Sequence, residues 1–207
     1  ALVLAPRATI ADFEAGLKAY EQGRDKKALV EWLGPHHVRR AESNLYLGYL
    51  FEFGYGVVNN PMLAAEYFRK AMTAGNSEAK ARLGVMMING RGVVYDPPRG
   101  AQMIMDAYSS EPKNHWVLMA RGFIEETGIG RAASYPKART YYEKAADTAD
   151  GTAIIFMADR LIRGERIDED VPRAFRKVFE LWNEHKPRDA FRWLTKFRSS
   201  APPEFQE

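Results

Sequence analysis

Cysteine is absent from this 207-residue chain. That excludes disulfides, thiolate nucleophiles and zinc–thiolate sites together. No apolar run approaches 18 residues, so no transmembrane segment is expected. A dominant charge is also lacking. Lys plus Arg number 30 against 27 Asp plus Glu, for a net charge of +3. Residues 1–100 hold 13 basic and 10 acidic side chains, and residues 101–207 hold 17 of each. Neither half carries a strong field of one sign, so no nucleic-acid partner is expected. Histidine is scarce, and His36, His37, His115 and His185 fall in no zinc-binding motif. The Gly-x-Ser-x-Gly elbow of serine hydrolases does not occur.

What is present is apolar material in a strict order. Hydrophobic residues make up 46% of the chain and aromatics 12%, enough for a continuous core. Gly54-Tyr55-Gly56-Val57 returns 36 residues later as Gly90-Arg91-Gly92-Val93. Gly128-Ile129-Gly130 follows after 38 more, and a worn copy, Gly164-Glu165-Arg166-Ile167, after another 36. Self-similarity at this period marks stacked supersecondary units that bury their apolar faces on one another. These glycines are not a phosphate loop, because no strand precedes them and no Gly-Lys-Ser/Thr follows.

Each copy reads as two helices. The first carries Leu47-Gly48, Leu83-Gly84, Arg121-Gly122 or Met157-Ala158, and the loop glycine comes six residues after the small member. The small residue lets two helices approach closely, and the loop glycine takes φ > 0 to close the helix. The second helix opens near Pro61, Pro97, Pro136 or Pro172, where a missing N–H costs nothing. Alanine recurs at 65, 101, 138 and 174. Tyr67 and Phe68, Met103 and Ile104, Tyr141 and Tyr142, and Phe175 and Phe179 follow. The predicted pairs are 41–53 with 61–74, 77–89 with 97–109, 114–127 with 136–147, and 151–163 with 172–184. A shorter-looped pair, 8–22 with 25–33, precedes them. Segment 187–198 reads as a capping helix, although Lys186, Arg188, Arg192, Lys196 and Arg198 around Phe191, Trp193 and Phe197 could also suit an anionic surface.

Leu-Gly, Gly-x-Gly-Val, Asp-Pro or Asn-Pro, then Ala and an aromatic pair resemble the Sel-1-like repeat. The best copy runs from Ala79 to Ala101 through Leu83, Gly84, Gly90, Gly92, Val93 and Asp96. Tyr141-Tyr142-Glu143-Lys144-Ala145-Ala146 matches the second helix closely, and the first pair is more similar to a tetratricopeptide repeat. Two departures are Arg121 in place of leucine, and Ala132-Ala133-Ser134, which is expected to lengthen one loop. The resemblance implies an all-α chain, an α/α right-handed superhelix or solenoid of tandem helix pairs. It implies one domain over 1–207: the tetratricopeptide-like pair at 8–35, four Sel-1-like repeats over 41–184, then a cap and tail at 185–207.

The resemblance further implies a scaffold or adaptor that holds a protein or peptide in a concave groove, with no catalytic residue, metal or cofactor. Glu125 and Glu126 are neighbours on a helix and diverge by about 100°, so they form no acid–base dyad. In the resembled repeats the first helices line the groove. The inward positions then fall on Phe13, Leu17 and Tyr20; Leu45, Tyr49 and Phe53; Val85, Ile88 and Asn89; Trp116, Met119 and Phe123; and Ile155, Asp159 and Arg163. Phe13 and Leu45 are the expected core members. At least three of Tyr20, Tyr49, Phe53, Trp116 and Phe123 are expected to be exposed in the groove, with Glu52, Glu126, Asp159 and Arg163 as a charged rim. The alternative function is a bacterial periplasmic accessory of envelope or polysaccharide assembly. It would suit an opening Ala1-Leu2-Val3-Leu4-Ala5 left by a processed export signal. A boundary without that meaning leaves the cytoplasm open.

Overall fold

The computed structural model describes residues 10–34 and 41–147, together with Arg176 and Glu180. All the regular elements among them are helices: α1 (Ile10–Glu21), α2 (Asp25–Leu33), α3 (Ala41–Phe53), α4 (Pro61–Thr73), α5 (Ser77–Asn89), α6 (Pro97–Ser110), α7 (His115–Thr127) and α8 (Tyr135–Ala146). The chain is all-α, and its helices follow the predicted pairs. It forms two compact units, Ala1–Ala107 and Tyr108–Glu207. The expected pair at 151–163 and 172–184 and the capping segment 187–198 lie outside the described residues.

Local chemistry sets the helix ends. Asn60, Asn76 and Asn114 each accept a hydrogen bond from the backbone N–H three residues on, at 3.1, 2.7 and 3.1 Å. Such caps contribute about 1 kcal/mol each. Gly90 and Gly128 close α5 and α7 in the left-handed conformation. In each loop the backbone N–H just before the second helix then returns to the first: Asn60 to the Phe51 carbonyl, Asp96 to Met87, and Ser134 to Glu125.

That shared closure corrects the expectation of a lengthened loop. Helix α8 starts at Tyr135, seven residues after Gly128, just as α4 and α6 start seven after Gly54 and Gly90. Pro136 is simply the second residue of its helix instead of the first. The alanine register shifts with it. Gly100 and Ala138 bring their carbonyl oxygens against Gly84 and Gly122, Ala64 and Ala65 are both buried, and Ala101 is half-buried.

Within each pair the small residue of the first helix lies beneath a large side chain of the second. A Cβ on Gly16 would enter the Trp32 indole, and one on Gly48 the Phe68 ring. One on Gly84 would lie 2.6 Å from the Gly100 carbonyl oxygen and 2.7 Å from Ile104. One on Gly122 would lie 2.5 Å from the Tyr142 ring. The partners of Gly48, Gly84 and Gly122 all sit 20 residues downstream. Trp32, Phe68, Ile104 and Tyr142 are buried by this contact.

The second glycine of the loop has a different task in the first unit. A Cβ on Gly56 would stand 2.7 Å from Cβ of Asp25 and 2.9 Å from the Lys26 nitrogen. One on Gly92 would overlap the Pro61 carbonyl group and stand 2.7 Å from the Met62 nitrogen. Each loop is thus seated on the start of the second helix of the preceding pair.

Candidate functional site

In the first unit an aromatic run crosses the first helices. Tyr20 of α1 meets Tyr55 at 6.2 Å between centroids, and Tyr55 stacks on Phe53 at 5.4 Å. Phe53 meets Tyr49 at 6.5 Å, one turn back on α3. Phe53 is 43% exposed, Tyr20 is half-buried and Tyr49 is buried. Asn89 stands one repeat after Phe53, is exposed, and donates its amide to the Val85 carbonyl at 3.0 Å. Ile88 is buried beside it.

Behind this run lies a charged cluster that links α3 to α5. The Tyr49 hydroxyl donates to Glu78. Arg82 pairs with Glu52 at 3.0 Å and with Glu78 at 3.3 Å, and its guanidinium lies 4.1 Å from the Tyr49 ring centroid. Burial pushes the Tyr49 phenol well above its ordinary value; Arg82 opposes the rise and Glu78 adds to it. Burial acts against the Arg82 charge, but Tyr49, Glu52 and Glu78 outweigh it and hold that group above its ordinary value. Breaking a buried pair by removing one partner costs about 3–5 kcal/mol. The exposed Arg91 side chain donates to the Glu52 carbonyl at 3.0 Å, at the margin of the same region.

This cluster is absent from the sequence expectations. The signal was there: Glu78 and Arg82 sit four apart on the apolar face that contains Ala79 and Leu83, where a solvated pair would not be placed.

The second unit departs from expectation. Trp116, Met119 and Phe123 are buried, not exposed in a groove. Trp116 and Met119 join Leu118 and Ala145 in a cluster with Tyr108 and Tyr141 packed against it. Tyr49, in the first unit, is buried in the same sense, so the expected exposure of at least three of the five aromatics does not occur. The physical reason is that these first helices are covered on more than one side. Every residue from Trp116 to Glu125 is buried, and so are Ser43–Leu45 and Leu47–Leu50. An apolar stripe on such a helix marks core as readily as surface.

Arg121, the departure from leucine, is kept inside by charge. It pairs with Glu125, which Arg131 also reaches at 3.1 Å, and lies 4.9 Å from the Tyr141 ring centroid. Glu126 points elsewhere and accepts from the Tyr142 hydroxyl at 2.6 Å. The two glutamates therefore diverge. Asp159 and Arg163 lie outside the described residues. Among the described residues no group of His, Cys, Asp or Glu is placed to hold a metal ion. No described helix is long and apolar enough to cross a membrane.

Comparison with known proteins fits this geometry. The Sel1 repeat family matches residues 41–76, 77–103 and 118–148. No curated protein matches the chain. Among solved structures, a Sel1 repeat protein from Oxalobacter formigenes is 25% identical, with a TM-score of 0.55 over 94% of this chain and 80% of its own. A sel1 repeat protein from Klebsiella pneumoniae subsp. pneumoniae is 16% identical, with a TM-score of 0.61 over 91% of each chain. A protective antigen of uropathogenic Escherichia coli with an SLR fold is 21% identical, with a TM-score of 0.51 over 94% of this chain and 46% of its own. The last two establish likeness of fold alone. The chain therefore carries three Sel1 repeats, at residues 41–76, 77–103 and 118–148.

Proposed function

We propose that this chain is a non-catalytic scaffold that holds a protein or peptide partner on its first helices, with Phe53 at the centre of the contact. The Sel1 repeat is generally a fold of protein–protein interaction and carries no catalysis of its own. The observation that supports the finer reading is Phe53, a large aromatic side chain 43% exposed yet braced by Tyr49 and Tyr55. A rigid exposed aromatic gives contact area at little entropic cost. Asn89 extends the surface by one repeat, Tyr20 by one in the other direction, and Arg91 supplies a charged margin. Tyr49, Ile88, Trp116, Met119 and Phe123 support their helices from within and leave the contact set.

The test installs a photoreactive residue at position 53 and, separately, at the exposed Thr73 on α4. A partner that crosslinks from 53 and not from 73 is expected. Phe53→Ala should then weaken that partner about 30-fold or more, as for a hot spot of roughly 2 kcal/mol. Equal crosslinking from both positions, or an unchanged affinity, refutes the reading.

A further inference from the structure

One edge of the first unit gathers features that the first-helix face does not use. The seating of Gly56 on Asp25 and Lys26, and of Gly92 on Pro61 and Met62, fixes the order along it. The start of α2 is followed by loop 54–60, the start of α4, loop 90–96 and the start of α6. Seven large apolar side chains are exposed among the described residues, and four of them are here: Val58 at 87%, Met62 at 71%, Val94 at 81% and Tyr95 at 68%. Single exposed apolar residues are ordinary. Here the exposure recurs, since Val58 and Val94 hold the same loop position 36 residues apart.

The same edge is basic. Arg24, Lys26 and Lys27 open α2 and Arg99 follows Pro97-Pro98; all four are exposed, whereas Arg91 of the second loop turns its guanidinium to the Glu52 carbonyl. Against them stand Glu21, Asp25 and Asp96, and Asp96 accepts from the Arg99 backbone N–H at 3.1 Å. The starts of α2, α4 and α6 add partial positive charge from their helix dipoles.

We infer that this edge is a docking surface for an anionic lipid membrane, with Val58, Met62, Val94 and Tyr95 entering the interface and the basic side chains meeting lipid headgroups. Side chains exposed by two thirds or more are convex knobs. A peptide partner needs concavities to receive its own side chains, whereas a fluid bilayer has no shape to match and takes apolar knobs backed by positive charge.

The test is co-sedimentation of the full chain with vesicles of phosphatidylcholine alone and of phosphatidylcholine with one third phosphatidylserine, at low and high salt. Partition onto the anionic vesicles, weakened by salt, is expected. Lys26→Gln with Lys27→Gln should lower it about 25-fold, at about fivefold per basic residue near the surface. The triple variant Val58→Ser, Val94→Ser, Tyr95→Ser should lower it at least tenfold with helicity unchanged. Arg69→Glu, at the far end of α4, and Phe53→Ala should leave it intact, which separates this edge from the partner face. No partition onto anionic vesicles, or partition indifferent to both sets of edge variants, overturns the inference. So does a polyglutamate peptide that binds this edge while vesicles do not.

Discussion

Replacing Gly92 with alanine, beside the same change at Gly130, isolates the loop seat from backbone strain. Both glycines have φ of +72° and are the second glycine of their loops. An alanine at either site must take the left-handed conformation, at a cost of about 1–2 kcal/mol. Both changes also restrict the unfolded chain to the same degree, which cancels in the comparison. The surroundings differ. The new Cβ at 92 would overlap the Pro61 carbonyl group and come within 2.7 Å of the Met62 nitrogen, and these are backbone atoms that no rotamer change can move. At 130 it would meet nothing within 4 Å. Overpacking of this kind costs about 1–3 kcal/mol further. Gly92→Ala should therefore be the less stable variant by about that amount, or several degrees in Tm at about 2–4 °C per kcal/mol for a chain of this size. Urea titration and thermal melting followed by circular dichroism read the difference. Equal loss in the two variants would show that Gly92 serves its φ alone and that the loop does not rest on α4.

Two further outcomes follow from burial. Trp116→Ala and Phe123→Ala should each destabilise the fold by about 3–5 kcal/mol, the cost of emptying a buried aromatic site; denaturant titration checks this, and near-parental stability would return both residues to a surface role. Tyr49→Phe should change the alkaline limb of stability. With the folded phenol held above the unfolded value near 10, stability is fully present below that pH and falls as pH rises above it, because the unfolded chain releases its proton first. That single group contributes about 1.4 kcal/mol per pH unit in the window between its two pKa values. Unfolding measured from pH 9 upward should be less steep in the variant, and identical slopes would refute the linkage.

Much of the fold was legible in residue order. Loop glycines and prolines act locally, so α3 to α7 begin and end close to where the sequence puts them. The register at α8 departs from expectation because Pro136 is the second residue of its helix and not the first. Proline suits the whole first turn, and only the hydrogen bond from Ser134 to the Glu125 carbonyl reveals the true frame. The interval of 37 between Ala101 and Ala138 was the visible trace of that slip. The face of partner contact was much less legible. A stripe at i, i+3 and i+7 says which side of a helix is apolar, and Trp116, Met119 and Phe123 show that an inner helix can be apolar on sides that never see a ligand. Phe53 kept its exposure because it ends α3, where the next turn no longer covers it. Glu52 lies 30 residues before Arg82, and their pairing requires α3 and α5 to come together.

The seating of each loop on the preceding second helix has a consequence for how such a chain can gain or lose length. Read from loop glycine to loop glycine, residues 54–89 hold Pro61 and Met62 but not the Gly92 loop that rests on them. Read from Pro61 to Asp96, the same 36 residues hold both the loop and the helix start it rests on. A deletion of 61–96 joins Asn60 to Pro97, another proline at a helix start, and leaves Gly56 on its own support at Asp25. The same excision takes Glu78 and Arg82 away from Tyr49 and Glu52, so the charged cluster, and not the loop seat, limits which repeat recombination can remove.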